Sequence, residues 1–182
     1  MKKLLSLLLI LALLPCAALA DTVIDVGAFQ VCIPESAYVV THDKIANSVI
    51  ANIIPDPNSP SGVYANINVT WGLASKADIT FTASEYAEFV LNETLAGLTA
   101  ENIAVSNAQV LASELDQDEG YIFLYFSFDA DYTGMGVNLV TTLYMVQESL
   151  CVDGDGMYTI TFTADSADGV ANLMQYFENC MI

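Results

Sequence analysis

The run Tyr121-Ile122-Phe123-Leu124-Tyr125-Phe126-Ser127-Phe128 has no polar side. Successive side chains of a strand point to opposite faces, so a strand with one wet face alternates apolar and polar residues. Here Tyr121, Phe123 and Tyr125 fall on one side, and Ile122, Leu124, Phe126 and Phe128 on the other. A strand of this kind belongs inside a sheet that is covered on both faces. Immediately upstream, Asp116-Gln117-Asp118-Glu119-Gly120 is rich in turn formers and joins it to a strand over Ala108–Ala112. Downstream, Val137–Val146 and Met157–Thr163 read as two more strands. The turn between them is Asp153-Gly154-Asp155-Gly156, since Asp-Gly tolerates the positive φ angles of a tight reversal.

Helices are expected on either side of this block. Thr82-Ala83-Ser84-Glu85 matches a capping box, with Phe81 and Tyr86 placed as a hydrophobic staple, so a helix is expected over Ala83–Leu98. Its buried stripe would be Tyr86, Val90, Leu91, Leu95 and Leu98. A second helix is expected over Ser166–Cys180, with Val170, Leu173, Met174 and Phe177 on one face. Toward the N-terminus, Phe29–Ile33, stretches within 37–54, and Val63–Trp71 alternate as strands, and a turn-rich loop spans Pro55–Gly62. The fold class is therefore α+β: an antiparallel sheet of about six strands flanked by helices on both faces.

The first 20 residues follow a different rule. Lys2-Lys3, an 11-residue apolar run from Leu4 to Leu14, and Ala18-Leu19-Ala20 make the charged, apolar and small-residue parts of a secretory signal. The run is shorter than the ~20 residues a spanning helix needs. The expected organisation is thus a signal peptide over 1–20 and a single α/β domain over 21–182, secreted or associated with the cell envelope and not inserted in a membrane. Lipidation at Cys16 is the less favoured route, because Pro15 stands where such signals carry a small residue.

Without the leader, two lysines (Lys44 and Lys76) face 22 acidic side chains, a net charge of −20, and the chain has no arginine. Nucleic-acid affinity comes largely from Lys and Arg displacing counterions from phosphates, so nucleic acid is excluded as a partner. Cations, neutral ligands and basic proteins remain compatible with the charge. Cys32, Cys151 and Cys180 persist after processing, an odd number that admits at most one internal disulfide.

Few residues carry chemistry. His42 is the one histidine, in a polar stretch, and the cysteines lack basic neighbours that would activate a thiol. Asp129-x-Asp131-x-Thr133-Gly134 begins like a calcium loop, but Val140 stands at the twelfth position, where a bidentate Glu is required. A looser calcium site from Asp129 and Asp131 with Asp153 and Asp155 stays open as a candidate, although turn chemistry explains these residues as well. Trp71 and the tyrosines of Tyr121–Tyr125 could line a carbohydrate- or peptide-binding face; core packing is the ordinary use of such side chains.

Several segments resemble the PsbP-like superfamily, named for an extrinsic photosystem II subunit and shared by exported bacterial domains. Phe29-x-Val31-x-Ile33-Pro34 is similar to its first strand, and Ala65-Asn66-Ile67-Asn68-Val69-Thr70 to its next long strand. Thr82-x-x-Glu85-Tyr86 looks like the start of its first helix. Gly120-Tyr121, and Tyr158-Thr159-Ile160-Thr161-Phe162-Thr163 before the closing helix, complete the pattern. The resemblance implies a PsbP-like α/β/α sandwich and a non-enzymatic domain that binds other proteins or assists an assembly. The photosynthetic members dock through basic surface residues, which this chain almost lacks, so that partner and its site residues do not carry over. The expectation is an acidic interaction domain with a protein or peptide partner and no cofactor; a calcium- or small-ligand-binding module is the alternative.

Overall fold

The computed structural model describes residues 20–58 and 65–182. Residues 1–19 of the proposed signal peptide, Cys16 among them, and Val63, Tyr64 and the second half of the Pro55–Gly62 loop lie outside the described residues.

Among the described residues, nine strands and two α-helices follow the order β1 (Ala20–Asp25), β2 (Gln30–Pro34), β3 (Tyr38–Thr41), β4 (Ser48–Ile54), β5 (Asn66–Gly72), α1 (Ala83–Ala100), β6 (Ala104–Asp116), β7 (Tyr121–Asp131), β8 (Val140–Val152), β9 (Gly156–Ala164) and α2 (Ala167–Cys180). Seven of the strands form one antiparallel sheet in the order β3-β4-β5-β9-β8-β7-β6, and β1 and β2 form a separate hairpin. The sheet is thus one strand wider than expected. The Phe29–Ile33 strand leaves it to pair with β1, and Val31 and Ile33 press their side chains into the core instead.

The all-apolar run is inside the sheet, and its two sides enter two different cores. Leu124, Phe126, Phe128 and Ala130 pack with Leu143, Ile103 and Ala87 beneath α1. Phe123 and Tyr125 join the opposite core, which α2 and the β1–β2 hairpin close. In that core Phe177 meets the rings of Phe29 and Phe162 edge-on at 6.1 and 5.8 Å, the geometry that aromatic quadrupoles favour.

The capping box of α1 forms as its residues predict. The Thr82 side chain accepts from the Glu85 amide at 3.2 Å, the Glu85 carboxylate accepts from the Thr82 amide at 2.8 Å, and Phe81 stacks on Tyr86 at 5.1 Å. Ser166 caps α2 by accepting from Gly169 N at 3.1 Å. The stripe of α1 is less buried than expected: Ala87 alone is fully covered, and Val90, Leu91, Leu95 and Leu98 are packed but partly open. The sheet under α1 explains this. Its apolar rows end at β8, and beyond them Thr159, Thr161 and Thr163 stand opposite Thr70, Asn68 and Asn66.

β8 begins at Val140, three residues later than expected. Residues 132–139 instead form a compact connection, because Asp131 caps a 3-10 turn over Tyr132–Met135 and Gly136 ends it with φ of 80°.

Candidate functional site

The sheet has two ends with different chemistry. At one end, the β8–β9 turn, the end of β5 and the β1–β2 turn converge on Lys44, which lies in the segment before β4. Its Nζ donates to Asp155 Oδ1 at 2.6 Å and to Tyr158 OH, and Tyr158 OH donates to the same carboxylate. The ammonium also lies 4.7 Å from the ring centroid of Trp71 and 4.9 Å from that of Tyr158, within cation–π range. Gly27 is required here: its φ is 95°, and a Cβ would sit 2.8 Å from Tyr158 OH and 3.0 Å from Lys44 Nζ. Burial works to lower the Lys44 pKa, but the hydrogen bonds to Asp155 and Tyr158 outweigh it and the value is raised. The hydrogen bond from Lys44, then that from Tyr158, holds the Asp155 carboxyl below its ordinary value.

Next to this cluster is an open cleft of about 340 Å³ between Leu73–Asp78 and Cys151–Gly156. Lys76 leans along it, with Nζ 3.3 Å from the Asp118 carbonyl and 4.0 Å from Asp153. Cys151 lines the floor, and burial pushes its thiol pKa up, away from nucleophilic use. Asp78, another wall residue, is bound back to Ser75, whose backbone and side-chain hydrogen bonds lower its pKa.

The other end of the sheet holds Asp129 and Asp131. Asp129 accepts from Thr142 Oγ1 and Asn107 Nδ2, each at 2.6 Å, and those two bonds in that order lower its pKa. Asp131 accepts from Thr133 N at 2.9 Å and is lowered by the Thr133 bonds. The four candidate calcium ligands therefore fall into two pairs: Asp129 and Asp131 at one end of β7 and β8, Asp153 and Asp155 at the other. No group of three His, Cys, Asp or Glu side chains is arranged to hold a metal among the described residues. His42 lies in an exposed loop, where its amide donates to Ile50 O at 3.0 Å. Cys32, Cys151 and Cys180 are all buried.

Two side chains escaped the sequence reading. Lys44 meets its partners 111 and 114 residues away, a pairing no local pattern announces. Glu148 looks like an ordinary outward residue of a strand, yet it faces the α2 core, between Phe123 on β7 and Ile160 on β9. Its pKa is raised, first by burial and further by the Glu178 charge, against the hydrogen bond from Tyr121 OH at 3.4 Å.

No family model matches the chain, and no curated protein matches it. Solved structures do. The solution structure of cyanobacterial PsbP (CyanoP) from Synechocystis sp. PCC 6803 superposes with a TM-score of 0.55 at 14% identity, over 94% of this chain and 98% of that chain. The fold is PsbP-like. At that identity the likeness concerns architecture alone, and the expected resemblance stands at that level. No helix among the described residues is long and apolar enough to cross a membrane.

Proposed function

We propose that this chain is an exported, non-catalytic interaction domain that binds a protein or peptide at or outside the cell envelope. The observation that carries the reading is apolar exposure at the two ends of the sheet. Ile45 and Leu73 are 63% and 74% exposed beside the Lys44 cluster, and Met135, Val137 and Val140 are 51%, 50% and 65% exposed at the opposite end. Single exposed apolar residues are ordinary, but grouped ones on ordered loops are what interaction surfaces are made of. The acidic residues with lowered pKa values support a non-catalytic role, since each serves a cap, a turn, a cross-strand hydrogen bond or the Lys44 bridge.

Site-specific photocrosslinking in the producing cell tests this. A benzophenone side chain at Val137 or Leu73 is expected to give a discrete protein adduct, and one at Glu93 on the exposed side of α1 to give none. Adduct-free protein at both ends would remove the proposal.

The small-ligand reading stands second, on the cleft beside Lys76. Asp153 and Asp155 both line it, so calcium or a neutral ligand such as a carbohydrate would bind there.

A further inference from the structure

Resting on the interaction-domain reading, we infer that the Met135–Val140 end is the docking face, and that it takes a basic protein segment carrying apolar side chains. The apolar trio is held in a fixed shape. Tyr132 N donates to Leu139 O at 2.9 Å, Gly136 N to Thr133 O at 3.0 Å and Val137 N to Tyr132 O at 3.2 Å. Gly134 packs so closely on the turn after α1 that a Cβ there would fall 2.2 Å from the Asn102 carbonyl. A loop tied at both its own turn and a neighbouring one presents Met135, Val137 and Val140 with little ordering entropy left to lose on binding.

The charge around that trio selects the partner. Asp131 is the cross-strand partner of both Ala104 and Val140, and Asp129 lies two residues back on the same strand. Both lysines of the described chain are at the far end, one in the Asp155 bridge and one beside Asp153. β7 has 11 residues, so the ends are roughly 34 Å apart at ~3.4 Å per residue. That separation is several times the ~8 Å screening length at physiological salt, so neither lysine offsets the acidic field at this face. A basic segment gains from the field and an acidic one is repelled. A second copy of this chain would bring its own excess of carboxylates, and an anionic lipid surface would be repelled likewise.

The experiment uses purified residues 21–182 and three fluorescent 15-residue peptides sharing one apolar centre, flanked by Lys, Gln or Glu. Anisotropy in 50 mM salt is expected to rank binding Lys above Gln above Glu. The double variant Val137→Ser, Val140→Thr is expected to weaken the Lys-flanked peptide at least tenfold at an unchanged melting temperature. Ile45→Ser with Leu73→Ser at the far end is expected to leave it within twofold. No binding of the Lys-flanked peptide, equal binding of the three peptides, or loss in the far-end variant alone would overturn the assignment. So would a dimer of the parent chain, seen by sedimentation, that the Val137/Val140 variant dissolves. Failure here together with a crosslink from Leu73 would reject this face and leave the broader interaction reading standing.

Discussion

The two ends of the sheet use similar residues in opposite ways. Around Lys44 an acidic turn, a cation and two aromatic rings satisfy one another, and three chain segments close into a single cluster. Around Met135–Val140, Asp131 is satisfied within its own turn and Asp129 by side chains of the two flanking strands, and the apolar side chains remain outside. An acidic turn therefore announces no ligand by itself. What distinguishes the ends is whether a cation reaches the turn, and the described chain has only two to place. The end that receives them is braced; the other is ordered but open.

The sharpest way to break this contrast is to truncate one large side chain at each end. Tyr158 is 2% exposed and touches Phe29, so Tyr158→Ala should cost about 3–5 kcal/mol in urea unfolding. Met135→Ala, at 51% exposed, should change stability by no more than about 0.5 kcal/mol. Similar costs at the two sites would mean that the open end is packed after all.

A second test uses pH. Glu148 has a raised pKa in the folded chain, so the stability it contributes is complete below its unfolded value and is lost as pH rises through the folded value. Glu148→Gln should therefore raise the melting temperature at pH 7 and leave it nearly unchanged at pH 4. Glu114 and Glu178 are the titratable neighbours of that Glu148–Tyr121 pair, and neither supplies a positive charge. A lower melting temperature at pH 7 would show that the carboxylate stabilises the core in its charged form.

Asp155 works in the other direction. Its lowered pKa contributes stability above its unfolded value, which is lost as pH falls through the folded value. Lys44→Met should reduce that acid-side loss, leaving the part due to the Tyr158 hydrogen bond, while keeping contact with Trp71 and Tyr158. Both charged groups are about one-third exposed and screened by solvent, so the expected change is a small fraction of the Tyr158→Ala loss. A larger loss in circular-dichroism melts would mean that the bridge, and not the ring packing, holds the end together.

The smallest expected effect is that of calcium. With the four aspartates split between two ends, 2 mM calcium should shift the melting temperature of residues 21–182 by less than about 1 °C. A shift of several degrees, reversed by a chelator, would revive a site at the cleft beside Asp153 and Asp155.

Much of this architecture was legible because its determinants are local. The two-sided run at 121–128 identified a central strand, Thr82-x-x-Glu85 located the first turn of α1, and Asp153–Gly156 marked a reversal. What escaped depends on non-local choices. Whether Phe29–Ile33 joins the sheet or pairs with β1 depends on which partner offers an edge, and alternation does not encode that. The late start of β8 was hidden because Val137 and Val140 read as strand residues, while the Asp131 cap and Gly136 favoured a turn. At the candidate sites the individual aspartates were visible, but their separation into two pairs followed from strand lengths and register.

Amide hydrogen exchange on residues 21–182 tests most directly whether the Met135–Val140 end is a ready-made surface on a PsbP-like sheet. The amides of β7, β8 and β9 should be the slowest to exchange, and those of Tyr132, Gly136 and Val137 should be clearly protected through their backbone bonds. Exchange across 132–139 at the rate of an unstructured peptide would contradict the account, because a surface that must first be ordered is not the one described.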